Sequence, residues 1–101
     1  MAIPVGYEEV TATAASAIGL TAATITTLAT NYPDLWVMVQ NSPLTSYPAA
    51  YLFYGTPTAA TFSQLAAGDT MKIKGVDLLR AFLAIGNGGS AKLAVHYFSG
   101  E

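Results

Sequence analysis

Ala81 to Phe98 reads AFLAIGNGGSAKLAVHYF, and this stretch decides the fold. Gly86-Asn87-Gly88-Gly89 suits a chain reversal, because Gly and Asn tolerate the positive φ that a tight turn demands. After it, Leu93, Val95 and Tyr97 alternate with Lys92, Ala94, His96 and Phe98, the period of two of a strand with the first set facing inward. Before it, Val76 to Ile85 fits two states. Asp77 could cap a helix and Gly86 could end it, but ten residues of helix need a polar face and only Arg80 supplies one. These features predict a short turn at Val76 to Leu79, a buried strand through Ile85, and a hairpin into a C-terminal strand.

Working outward, Gly68-Asp69 predicts a tight turn, followed by a half-buried strand in which Met71 and Ile73 alternate with Lys72 and Lys74. Thr58 to Ala67 fits a loop, a strand or a short helix started by Pro57, and the residues do not choose among them. Ala50 to Tyr54 is strand-like, with Ala50, Leu52 and Tyr54 on one side and Tyr51 and Phe53 on the other. In Leu35 to Gln40, Leu35, Val37 and Val39 oppose Trp36, Met38 and Gln40. Tyr7 to Ala14 is rich in β-branched residues and predicts a first strand, and a second Thr-rich stretch, Leu20 to Thr30, ends at the turn Asn31-Tyr32-Pro33-Asp34. Seven or eight short strands with regular turn punctuation predict an all-β chain: one β-sandwich domain over residues 1–101, jelly-roll-like or Ig-like.

The 101 residues are 52% hydrophobic and only 10% charged, with no cysteine and a net charge of −2. So apolar a chain is not disordered, and it offers no basic field for a phosphate backbone, so no nucleic-acid partner is expected. Met1 to Glu9, MAIPVGYEE, lacks the basic start and apolar run of a secretory signal. The 24 residues between Glu9 and Asp34 carry no charge, but seven are threonines, which argues against a membrane span. Absence of cysteine fits synthesis in a reducing cytoplasm.

Candidate chemistry is sparse. His96 is the sole histidine and falls on the outward face of a predicted strand, so no triad with Asp34, Asp69 or Asp77 is indicated. The acids are scattered except for Glu8-Glu9, whose side chains would point to opposite faces and could not chelate together, so no metal site is expected. Gly86 to Ala91 formally fits the dinucleotide fingerprint G-x-G-x-x-A, but a strand follows where a helix is required. Lys72, Lys74 and Arg80 are too few to dominate phosphate recognition. No catalytic residue, cofactor or small-molecule substrate is expected, and the chain reads as a non-enzyme.

What stands out is strands that are apolar on both faces. A sandwich of two sheets has two outsides, and without helices nothing covers them. Trp36, Met38, Tyr51, Phe53, Tyr54 and Phe98 cannot all reach one small core, and with Tyr47 they are the candidate protein-interface residues. Tyr47, Tyr51 and Trp36 could instead stack on a sugar, which makes a carbohydrate-binding module the competing class.

Three blocks carry a resemblance: VTATAASAIGLTAAT at Val10 to Thr24, YGTPTAATFSQLAAGDTMKIKG at Tyr54 to Gly75, and AFLAIGNGGSAKLAVHYF at Ala81 to Phe98. Together they resemble a family of small all-β structural proteins of tailed bacteriophages and prophages. The resemblance implies a virion protein made in the bacterial cytoplasm, a decoration or cement subunit that binds copies of itself and a major capsid or other virion protein, or else a neck or tail component. It implies no catalytic residues. Members often carry a charged residue before the Gly-Thr-Pro-Thr segment and a basic one before the Gly-Gly turn. Here Tyr51-Leu52-Phe53-Tyr54 and Ile85-Gly86-Asn87 stand instead, which suits a drier contact.

Overall fold

A computed structural model describes residues 2–43, 47–55, 57 and 63–100. Among them the strands are β1 (Ile3–Ala12), β2 (Leu35–Asn41), β3 (Ala49–Phe53), β4 (Ser63–Leu65), β5 (Thr70–Lys74), β6 (Phe82–Gly86) and β7 (Ala91–Ser99), with helices α1 (Ala22–Asn31) and α2 (Val76–Ala81). They form two antiparallel sheets, ordered β1-β7-β2-β5 and β4-β3-β6. An isolated antiparallel bridge, Ile18 to Ala84, lies on the free edge of β6. Counting that bridge as a vestigial second strand gives eight positions, with sheet orders 1-8-3-6 and 2-7-4-5. This interleaved path is that of a jelly roll, not of an immunoglobulin sandwich. The radius of gyration, 12.9 Å, is what one domain of this length should show.

The alternations place the core as predicted. Leu35, Val37 and Val39 of β2, Ile73 of β5, and Leu93, Val95 and Tyr97 of β7 are buried between the sheets. From the other sheet Phe82, Ala84 and Leu65 are buried against them, with Tyr51 and Phe53 packed on this cluster. Near the start of β1 the register slips between Pro4 and Gly6, a bulge at Val5 flanked by a residue with no N–H and one with no Cβ. Leu28 fills the space a side chain at Gly6 would need.

Three predictions need correction. First, the Thr-rich stretch Leu20 to Thr30 is mostly helix. Ile25, Leu28 and Ala29 stand at i, i+3 and i+4, and all three pack on the core, so tertiary burial overrides the weak preference of threonine for strands. The threonine hydroxyls are absorbed locally: Thr30 Oγ1 donates to the Thr26 carbonyl at 2.9 Å. Second, Val76 to Ala81 is a six-residue helix rather than a turn, with Asp77 in its first turn, Arg80 in its last and Leu79 fully buried. The strand after it runs as expected. Third, Gly86 to Gly89 does not join a hairpin. β6 pairs with β3, while β7 pairs with β1 and β2, so the turn carries the chain from one sheet to the other. The positive φ of 96° at Gly88 permits the reversal. The open stretch Thr58 to Ala67 lies partly outside the described residues, and in the remainder Ser63–Leu65 is strand β4.

Candidate interaction surfaces

Each sheet presents an outside, and the two differ in chemistry. Strand registers arrange the outer face of the four-stranded sheet into three rows that cross all four strands, with the pair Thr11 and Lys92 beyond them. Running from β1 to β5 they are Glu9, Ala94, Gln40, Thr70; then Tyr7, His96, Met38, Lys72; then Pro4, Phe98, Trp36, Lys74. The middle of this face is a band of rings. Tyr7 and His96 lie 4.9 Å apart between centroids, Trp36 and Phe98 stack at 4.6 Å with planes 18° apart, and the Lys72 ammonium sits 4.2 Å from the Trp36 centroid. Trp36 donates its Nε1–H to the Gly100 carbonyl, and beneath lysine and phenylalanine only 8% of it remains exposed. Asp34 accepts from Ser99 Oγ at 2.7 Å, and this bond, with backbone donors and the nearby Lys74 charge, holds its carboxyl below the ordinary carboxylate range.

The outside of the three-stranded sheet is simpler. Its strands read AAYLF, SQL and FLAIG, without one charged residue. Tyr51 and Phe53 point inward, where both lie within about 6 Å of the Phe82 ring. By alternation Ala50 and Leu52 point outward, and the registers set them beside Ile85 and Leu83. The buried residues of the helices, Ile25 and Leu79, belong to the cluster between the sheets, while on this face Ala50 is fully buried and Leu52, Leu83 and Ile85 are half-buried.

The predicted interface residues therefore separate. Trp36, Met38 and Phe98 share the outer face of the four-stranded sheet, as their alternation implied, whereas Tyr51 and Phe53 turn into the core because Ala50 and Leu52 take the outward phase. Tyr54 lies just past β3, 74% exposed and at a φ of 60° that is uncommon for a bulky residue. Tyr47 stands at the other end of β3, half exposed, with its ring laid over Gly88 and Gly89 so closely that a Cβ on Gly89 would come within 2.5 Å of it. Tyr47, Tyr51 and Trp36 thus occupy a loop, an inner face and an outer face, and form no common platform for a sugar.

Sequence reasoning missed Leu52, Leu83 and Ile85 as surface residues, because a run such as FLAIG has two apolar phases. It also missed the node at Glu8. Unlike Glu9, Glu8 lies on the inward phase of β1, and its carboxylate accepts from the Tyr97 hydroxyl, from Thr21 Oγ1 at 2.6 Å and from Thr21 N at 3.3 Å. Burial and the Glu8 charge push the Tyr97 hydroxyl well above the ordinary phenol range. The same carboxylate sits at the start of α1, where a negative charge complements the helix dipole. Glu8→Gln should therefore cost about 1.5 kcal/mol of stability in urea unfolding, since the amide keeps the shape but faces two donors with its own NH2. Amide exchange in the first turn of α1 should quicken with it.

A groove of about 370 Å³ runs between β1 and α1, lined by Val5, Gly6, Tyr7, Ala23, Thr24, Thr27 and Leu28. Its walls carry no charged group. Among the described residues no three His, Cys, Asp or Glu side chains gather where they could hold a metal ion. His96 meets the Tyr7 ring, Arg80 Nη2 donates to Thr26 Oγ1 at 3.0 Å, and Gly86 to Ala91 leads into strand β7, so none of these assembles a reaction centre. No described helix is long and apolar enough to cross a membrane. In comparisons with known proteins, the chain matches no family model, no curated protein and no solved structure.

Proposed function

We propose that this chain is a non-enzymatic structural subunit of a bacteriophage virion, a capsid decoration or cement protein that adheres through the outside of its three-stranded sheet. One observation carries the reading: β3, β4 and β6 contain no charged residue, and their outward phase sets half-buried Leu52, Leu83 and Ile85 around a fully buried Ala50. A face of this kind loses little by desolvation and gains on burial, at ~25 cal/mol per Å² of apolar area. A cement subunit works by that term alone, lowering the free energy of a shell by burying ~1,200 Å² or more across joints between capsid proteins. The jelly roll is compatible with this role, since viral capsid domains are among its users, although a fold by itself assigns no function. The sequence blocks that resemble tailed-phage structural proteins supply the virion setting.

The test is mass spectrometry of purified particles from a strain that carries the gene, in native form and with Leu52→Glu plus Leu83→Glu. The native chain should copurify with particles. The double variant should fold, because both side chains point away from the core, yet be at least about tenfold depleted from particles, as expected when an interface core receives two unpaired charges. Particles that lack the native chain would refute the virion reading. Retention of the folded double variant would move the contact elsewhere.

A further inference from the structure

We propose that the outer face of the four-stranded sheet docks face to face on the same face of a second copy, about a two-fold axis running along the strands between β7 and β2. The inference uses the opposite side of the sandwich from the proposed shell contact and does not depend on it.

The distribution of charge across the three rows selects this arrangement. On the β1 side the face carries Glu9 and the Tyr7 ring, on the β5 side Lys72 and Lys74, between them Ala94, His96, Phe98, Trp36 and Met38, and at one end of β7, beside Thr11, the exposed Lys92. An axis along the strands reverses the strand order, so that β1 lies over β5 of the second copy and β7 over β2. In the middle row Lys72 of each copy then meets the Tyr7 ring of the other, with Glu9 of that copy one row away. In the third row the partly exposed Phe98 meets the Trp36 position, where Lys72 and Phe98 cover most of the indole. An axis across the strands would instead place β5 over β5, setting Lys72 against Lys72, a repulsion with nothing to offset it. The first orientation thus sets the cationic edge against the Tyr7 and Glu9 edge, with Lys92 at the end of the face, while the second sets the cationic edge against itself.

Size is sufficient. The four strands have ten, seven, five and nine residues. At ~3.4 Å per residue and ~4.8 Å between strands they present roughly 500 Å² in projection. With β1 over the shorter β5 and β7 over the shorter β2, about 400 Å² of that projection overlaps, so with side-chain relief two copies together bury on the order of 1,000 Å², the low end of a specific contact. Tyr7, 57% exposed but packed on the His96 ring, and Lys72, held over the Trp36 ring, have partners within the subunit that restrict their rotamers before contact.

Sedimentation equilibrium of the purified chain decides the matter. The native protein should be dimeric in the micromolar range. Lys72→Glu should raise the dissociation constant by about tenfold or more, because it removes the cation facing Tyr7 and opposes Glu9. Combining it with Glu9→Lys should recover most of that loss, a result that a merely destabilised fold would not give. Tyr7→Ala, at an exposed edge position, is the second probe and should weaken the dimer without unfolding the chain. Leu83→Glu, on the far side, should leave the mass unchanged. A native chain that stays monomeric up to about 1 mM, or a dimer abolished by Leu83→Glu but untouched by both Lys72→Glu and Tyr7→Ala, overturns the proposal.

Discussion

Replacing Gly86 by alanine is expected to cost about 4 kcal/mol of folding stability, enough to lower the melting temperature by roughly 15–30 °C or to prevent folding at growth temperature. A Cβ at this position would lie 1.6 Å from the Gly89 carbonyl oxygen, 2.8 Å from the Gly89 carbonyl carbon and 2.9 Å from the Ala12 carbonyl oxygen. All three are backbone atoms, so no rotamer change relieves the clash. Making room means parting the turn from the end of β1, which breaks Gly86 N–H to the Thr13 carbonyl at 3.1 Å and disturbs Asn87 N–H to the Pro48 carbonyl at 2.8 Å. Gly75→Ala is the matched comparison. Gly75 has a φ of 104° but open space around it, so its substitution should carry only the backbone strain, about 1–2 kcal/mol. Thermal melts followed by Trp36 fluorescence would compare the two, and a Gly86→Ala protein within about 1 kcal/mol of the native chain would show that the turn does not hold the sheets at this point.

The second large effect is expected at Asn41, the one polar side chain among the fully buried residues described. It ends β2 and ties three segments together. Its Nδ2 donates to the carbonyls of Tyr47 at 2.9 Å and Leu65 at 3.0 Å, its backbone N–H reaches the Asp69 carbonyl, and its own carbonyl receives the Gly68 N–H. Asn41→Leu preserves volume but strips the donors from two carbonyls, one bond fully buried and the other partly so, and should cost about 3 kcal/mol. Asn41→Asp should cost at least as much at neutral pH, because a carboxylate would face the same two carbonyls. Its pH dependence is diagnostic. Burial raises the folded-state pKa of the new carboxyl above the unfolded value of ~3.9. The folded state then binds the extra proton between those two values, so the deficit relative to native protein is smallest below ~3.9, grows as pH rises toward the folded pKa, and is constant beyond it. Denaturant titrations of both proteins at several pH values check this, and a deficit independent of pH would mean that the carboxylate has escaped to water.

The legible parts of the fold were those written in one strand at a time. Alternation in Leu35 to Gln40 and in Leu93 to Phe98 told inside from outside, and it put Trp36, Met38 and Phe98 on the surface they occupy. Where both phases are apolar, as in Tyr51 to Phe53 and Phe82 to Ile85, period two has no polar partner to fix its sign, and Leu52 and Leu83 went unnoticed. The Gly86 to Gly89 turn announced a reversal but not its destination, because residues that permit positive φ serve equally within a sheet and between sheets. Helix α1 was hidden by four threonines around a single i, i+3, i+4 set, Ile25, Leu28 and Ala29. The rows that join Tyr7 to Lys72, and the node joining Glu8, Thr21 and Tyr97, depend on pairing between distant segments, and no local pattern encodes them.

Strand β7 pairs on one side with β1, matching Ser99 to Ile3, and on the other with β2. The larger sheet therefore has its second position filled by the strand farthest from β1 along the chain, and β1 has no neighbour in that sheet until β7 is made. Closure of such distant ends is slow, and an apolar nascent chain left open for that time is exposed to unwanted association. Formation of the larger sheet is thereby a late event in folding, and its yield should depend on how quickly β1 and β7 find each other.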